Sequence, residues 1–152
     1  MKRVLVLHGV NLNMLGRRNP EQYGVVTLTE INKAMQELAR GLGLSLEFFQ
    51  TNNEGELIEK IHRSCEEEID AVIINAGAWT HYSYAIGDAL CLLKVPIIEV
   101  HMSNVDAREK FRQYSVISPL AKGKIIGFGL NSYLLGLRAA RDLLNGDDLP
   151  AA

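Results

Sequence analysis

Val4-Leu5-Val6-Leu7-His8-Gly9-Val10-Asn11-Leu12-Asn13-Met14-Leu15-Gly16-Arg17-Arg18-Asn19-Pro20-Glu21-Gln22-Tyr23-Gly24 is a short apolar run that gives way at once to a long, polar, glycine-punctuated segment. A continuous apolar run of this length reads as a strand buried on both faces, as in parallel sheets. Connections leaving a first strand are usually short, and one this long without its own periodicity reads as a lid or a binding loop. Two arginines, Arg17 and Arg18, precede Tyr23. A tyrosine becomes a useful base only when its ionisation, ordinarily near pH ~10, is assisted, and a neighbouring guanidinium favours the phenolate.

Further strand-like runs lie at Leu44–Phe49, Ala71–Ile74, Val95–Val100 and Lys124–Phe128, with Val4–Leu7 as the first. Helical patterns fall between them at about 28–42, 55–68, 82–93, 106–113 and 131–144. Thr27 or Thr29 caps the first of these, Glu30 completing a capping box with Thr27, and Gly41 and Gly43 end it. In the segment 55–68, Leu57, Ile58 and Ile61 form the apolar stripe, while Glu59, Lys60, Arg63 and Glu66–Glu68 are expected to face water. Five such βα units predict an α/β, doubly wound three-layer sandwich with a five-stranded parallel sheet of flavodoxin-like order 2-1-3-4-5. Residues 1–145 read as one catalytic domain and 146–152 as a short, loose tail.

In that order strands 1, 3 and 4 are neighbours, and ligands bind at their carboxyl ends. The loops leaving these three strands, Asn11–Tyr23, Asn75–His81 and His101–Asp106, are the polar ones, so three separate stretches are expected to converge on one cleft.

At 152 residues with 47% hydrophobic and 22% charged residues and a net charge of −2, the chain has the composition of a soluble globular protein. Basic and acidic residues nearly balance, which argues against a nucleic-acid partner, and no apolar stretch has the length of a membrane span. The N-terminal apolar run is too short for a secretion signal. Cys65 and Cys91 have no metal-ligand spacing and are expected to be buried, reduced thiols of a cytoplasmic protein.

Within the expected cleft, Glu99 and His101 lie two apart at the end of a strand and therefore on one side of it. A carboxylate beside an imidazole fixes its tautomer and suits it to general-acid work; a buried ion pair is the plainer alternative. Asn75 and Asn11, at the ends of strands 3 and 1, read either as turn formers or as hydrogen-bonding groups inside the cleft. Arg108 and Arg112 are spaced i and i+4, so a helix would put both on one face, from which at least one reaches the cleft. The amides of Met102 and Ser103, next to a helix start, are suited to an anionic group. His81 alone is a weak metal candidate, His62 reads as solvated, and His8 either lines the cleft or packs behind it. Gly127-Phe-Gly129-Leu-Asn-Ser132 lacks the third glycine of a dinucleotide fingerprint and follows the last strand instead of the first. No phosphate-binding Gly-Lys-Ser/Thr loop occurs, and neither cysteine has a catalytic context.

Three motifs together resemble the type II 3-dehydroquinate dehydratases (type II dehydroquinases) over about residues 3–144. They are Val10-Asn-Leu-Asn-Met-Leu-Gly-Arg-Arg-Asn-Pro-Glu-Gln-Tyr-Gly24, Asn75-Ala-Gly-Ala-Trp-Thr-His81 and Ile98-Glu-Val-His-Met-Ser-Asn-Val-Asp-Ala-Arg-Glu-Lys-Phe-Arg112. The resemblance implies dehydration of 3-dehydroquinate to 3-dehydroshikimate in the shikimate pathway, with a flavodoxin-like fold and no metal or cofactor. It implies that Tyr23, paired with Arg18, removes the C2 proton and that Asn11 stabilises the enolate through a bound water. His101, oriented by Glu99, would protonate the departing hydroxyl. Asn75, His81 and Arg112 would bind the substrate's hydroxyls, and the Met102 and Ser103 amides its carboxylate. Asp88 would reach a neighbouring subunit's site in a homododecamer built from trimers.

The sequence departs from the family pattern at Val10, where a proline is usual, at Asn19, where the lid usually carries a glutamate, and at Gly87, where an arginine is common. None of these is a reacting group. The reading from another functional class is a flavodoxin-like binding module without chemistry; a third is an assembly-forming homologue that has lost activity.

Overall fold

Alternation of side chains along buried strands dictates the layers of the molecule, and the computed structural model, which describes residues 1–146, shows them directly. Strands β1 (Lys2–His8), β2 (Leu44–Gln50), β3 (Ala71–Asn75), β4 (Ile97–His101) and β5 (Gly123–Ile126) form one parallel sheet of order β2-β1-β3-β4-β5. The helices are α1 (Pro20–Tyr23), α2 (Leu28–Leu42), α3 (Glu54–Ser64), α4 (Tyr84–Leu90) and α5 (Leu130–Asn145). Val4, Val6, Ile73, Ile98 and Val100 pack with Ile31 and Met35 of α2 and Tyr133 and Leu137 of α5. Their sequence neighbours Leu5, Leu7, Val72, Ile74 and Ile97 point the other way, onto Leu57 and Ile61 of α3 and Ile86 and Leu90 of α4. This is the three-layer flavodoxin-like arrangement expected from the runs. Removing any one of these large side chains from such a core costs about 2–5 kcal/mol.

Thr27 is the cap of α2: the Glu30 amide donates to its hydroxyl and the Thr27 amide donates to the Glu30 carboxylate, 2.7 Å. Gly43, left-handed at φ 69°, ends the helix, while Gly41 lies inside it. The tight junction between strand ends depends on two glycines. A Cβ on Gly9 would sit 2.3 Å from the Ala76 carbonyl oxygen, and one on Gly77, at φ +60°, 2.7 Å from that of Val10.

Several expectations are corrected. The stretch 106–113 is not a helix but two 3-10 turns, Val105–Ala107 and Lys110–Gln113, interrupted by an extended Arg108. The segment 82–93 contains only the seven-residue α4, preceded by a 3-10 turn at Gly77–His81. Lys60, expected in water, is buried, because its ammonium pairs with Glu47 at 2.7 Å and Glu67 at 3.1 Å. Cys65 and Cys91, expected to be buried, are exposed at the C-caps of α3 and α4. His62 is exposed, as expected. Among the described residues, no helix is long and apolar enough to cross a membrane. The tail expectation falls almost entirely on residues 147–152, which lie outside the described residues.

Candidate active site

The carboxyl ends of β1, β3 and β4 open into one cleft. Its walls come from all three polar loops: Leu12, Arg18 and Tyr23 from the first, Asn75, Gly77, Ala78 and His81 from the second, and His101, Met102, Ser103 and Val105 from the third. Arg108 and Arg112 complete it. The convergence follows from strand order and register, which pair His8 with Asn75 and Ile74 with Glu99.

The long first loop is partly ordered by its own turns. A 3-10 turn at Leu12–Met14 is followed by α1, which Pro20 opens and whose last residue is Tyr23. Tyr23 is half-buried, with the Arg18 guanidinium over its ring at 4.8 Å from the centroid. The contact to its oxygen comes from elsewhere: Arg108 Nη1 donates to the phenolic oxygen at 2.9 Å and to Ser103 Oγ at 3.1 Å. Arg108 Nε is buried with no partner among the described residues, so this guanidinium keeps an unused donor beside the cleft. Arg108 thus bonds the hydroxyl while Arg18 covers the ring, so two cationic side chains lie against one tyrosine.

From β4, Glu99 and His101 share one side of the strand, and His101 Nε2 lies 2.8 Å from Glu99 Oε2. Ser115 and Ser118 donate to the same carboxylate at 2.7 and 3.0 Å. Burial pushes the Glu99 carboxyl up, but the bonds from His101 and the two serines outweigh it and hold the group below the usual carboxylate range. The carboxylate therefore stays charged, and by occupying Nε2 it leaves Nδ1 as the imidazole nitrogen free for chemistry.

His81 is stacked on His101 at 6.4 Å between ring centroids. Its Nδ1 donates to the Tyr114 carbonyl at 2.7 Å, which leaves Nε2 as an acceptor. Burial lowers its pKa against the opposing effect of that bond, with the charges of His101 and Arg112 adding to the decrease, so the neutral form is favoured. Arg112 stacks on Phe111 at 4.7 Å, and Glu109 holds its Nε at 2.7 Å. Met102 and Ser103 are buried at the cleft wall, and their amides have no acceptor among the described residues.

Asn75 has both roles that the sequence left open. Its Oδ1 accepts the Gly77 amide at 3.1 Å, a turn-forming bond, and the residue also lines the cleft. Asn11 is exposed at the rim and not part of the lining; its backbone is left-handed (φ 67°), and its backbone amide donates to Asn52 Oδ1 at 2.8 Å. Asp88 is exposed on α4, away from the cleft. His8 packs behind the cleft, fully buried, with burial pushing its pKa down to about 4 against the opposing bond to Asn32.

Sequence reasoning left several contributors without a role. Arg108, unlike Arg112, has no role assigned from the sequence, and neither do Ser115, Ser118 or Tyr133. The spacing Ser115-x-x-Ser118 in a loop was the one local signal available, since such hydroxyls often satisfy a buried acceptor.

Residues 2–141 match the family model described as dehydroquinase class II. A 3-dehydroquinate dehydratase of Syntrophotalea carbinolica is 62% identical over 144 residues, covering 95% of this chain and 97% of the relative. One from Pelobacter propionicus is 59% identical over 145 residues, covering 95% and 97%. The crystal structure of type II dehydroquinase from Propionibacterium acnes superposes with a TM-score of 0.89 at 44% identity, covering 93% of this chain and 97% of that one.

Proposed function

The chain belongs to the class II dehydroquinase family, and from that premise we propose that Tyr23 and His101 are the base and the acid with which it dehydrates its substrate. The activity is that of a 3-dehydroquinate dehydratase, a hydro-lyase of the shikimate pathway to the aromatic amino acids.

Tyr23, as its phenolate, takes the proton from C2 beside the substrate's ketone. The C–H electrons move into the carbonyl to give an enolate, which Asn11 stabilises from the rim through a bridging water. His101, protonated on Nδ1, then gives that proton to the C1 hydroxyl as the C–O bond breaks. The enolate electrons form the C1–C2 double bond and restore the ketone, and water leaves. Tyr23 ends protonated and His101 neutral, so the pair resets by one proton lost and one gained. An acid and a base supplied from different elements of one cleft suit an anti elimination.

The remaining assignments concern binding. His81, with Nε2 free as an acceptor, receives a substrate hydroxyl, and Asn75 and Arg112 hold the others. The unpaired amides of Met102 and Ser103 receive the carboxylate. Asp88, exposed on α4, serves a neighbouring subunit's site in a homododecamer of trimers. We place the enzyme in the cytoplasm, with residues 1–145 as the catalytic domain and no resident cofactor.

The observation that carries this reading is the bond from Arg108 to the Tyr23 hydroxyl, with Arg18 over the ring, in the cleft that also holds His101 on Glu99. The test is to add 3-dehydroquinate to the purified protein and follow the ultraviolet absorbance of the conjugated product. A rise is expected. A folded, assembled protein that gives none would leave the cleft as a binding site without chemistry.

A further inference from the structure

Two fully buried residues of titratable type, His8 and Tyr133, have no part in the mechanism above, yet they are wired to it. Asn75 Nδ2 donates to the Tyr133 hydroxyl at 3.0 Å, that hydroxyl lies 3.3 Å from His8 Nδ1, and His8 Nε2 lies 2.9 Å from Asn32 Oδ1 on α2. The direction of each bond is forced. The Gly77 amide needs an acceptor, which puts Oδ1 of Asn75 on that side and its NH₂ toward Tyr133. An NH₂ only donates, so the single hydroxyl hydrogen of Tyr133 is left for His8 Nδ1. That nitrogen must then be bare, which puts the ring proton on Nε2, where Asn32 Oδ1 accepts it. Every group in the chain is satisfied in one arrangement only.

Register and packing maintain this chain. His8 and Asn75 are partners across β1 and β3, on the sheet face that α2 and α5 cover, and Tyr133 enters between them from α5. From these observations we infer that Tyr133 and His8 are positioning residues: they lock the Asn75 amide so that its remaining hydrogen and lone pair face the substrate. Without Tyr133's oxygen, one of the two bonds that fix the amide plane is lost. Burial keeps His8 in the neutral form that the arrangement requires. The inference rests on Asn75 binding substrate, as in the reading above.

Tyr133→Phe removes one oxygen and little shape. Losing one neutral hydrogen bond corresponds to a fall in kcat/KM of about five- to tenfold, carried mainly by KM. The decisive measurement is the same substitution in an Asn75→Ala background, where it should cost less than twofold more, because a residue that acts only through Asn75 has nothing left to act on. His8→Leu should behave as Tyr133→Phe does. His8→Asn, whose side-chain oxygen accepts the tyrosine's hydrogen, should stay within twofold of wild type even if His8→Leu fails to fold. Losses that multiply fully in the double variant, or a Tyr133→Phe enzyme indistinguishable from wild type beside an impaired Asn75→Ala, would overturn the inference alone. Wild-type kinetics for Asn75→Ala would instead locate the failure in the assignment of Asn75 to substrate, and the inference would fall with it.

Discussion

Arg108 Nη1 is 2.9 Å from the phenolic oxygen of Tyr23, although 85 residues separate the two. The bond joins the end of α1 to a break between two 3-10 turns, and the same nitrogen also reaches Ser103. Arg18 lies over the ring and provides charge without touching the oxygen. A charged donor on an oxygen that, in the proposed mechanism, acts as an anion contributes about 1.5–3 kcal/mol, which is roughly a ten- to hundredfold effect on rate. Arg108→Ala should therefore lower kcat by about that factor while leaving the far-ultraviolet circular dichroism unchanged. Arg108→Lys should recover part of the loss, since the charge returns but the fork that bonds Tyr23 and Ser103 together does not. A kcat for Arg108→Ala within twofold of wild type would remove this arginine from the proton-transfer step.

Tyr23→Phe deletes the oxygen itself and little else, since the ring still packs beneath Arg18. Turnover should fall below a tenth of wild type, with the fold intact by circular dichroism. Retention of more than a tenth would mean that another group takes the C2 proton. Tyr133 is an unsuitable substitute, because burial pushes its hydroxyl well above the ordinary tyrosine range, the bond from Asn75 opposing only in part.

What could be read in advance divides along local and non-local lines. The strands were legible because β1, β3 and β4 are continuous apolar runs, and alternation with helices suits the doubly wound order β2-β1-β3-β4-β5 that the sheet adopts. Glu99 and His101 were legible as a pair because a period of two is enough to join them. The stretch 106–113 was not, because its alternating charges imitate a solvated helix face. In the folded chain Arg108 is extended (φ −107°, ψ −161°) and its side chain is engaged by Tyr23 and Ser103, a tertiary contact that no window of sequence contains. Lys60 was misread for the same reason: on the helix it belongs among charges, but Glu47 of β2 draws it inward. The cysteines were judged by residue type, and their places at helix ends decided otherwise.

The two halves of the reaction can be separated at His101. His101→Ala removes the proposed acid but leaves Tyr23, Arg108 and Arg18 untouched. Proton loss from C2 should persist and hydroxyl departure should slow. In deuterated water the variant should therefore exchange the C2 hydrogen faster than it forms product, by mass spectrometry of recovered substrate. Exchange that falls in parallel with product formation would mean that His101 also acts in the first step.

The buried His8 makes stability depend on pH in a calculable direction. Unfolded, its imidazole titrates at about 6.5; folded, burial lowers this to about 4. Between these values the unfolded chain binds more protons than the folded one, so stability falls as pH falls through that window. The full difference corresponds to roughly 3 kcal/mol at 1.36 kcal/mol per unit. His81, also depressed, acts in the same direction, and Glu99 adds its own loss at still lower pH, so wild type alone does not isolate the group. Comparison with His8→Asn does. Urea midpoints measured at pH 7.5 and pH 4.5, at one protein concentration so that assembly contributes equally, should drop markedly more for wild type than for the variant. Equal drops would mean that His8 is already protonated in the folded protein at the lower pH, and would count against a bond donated by Tyr133 to its Nδ1.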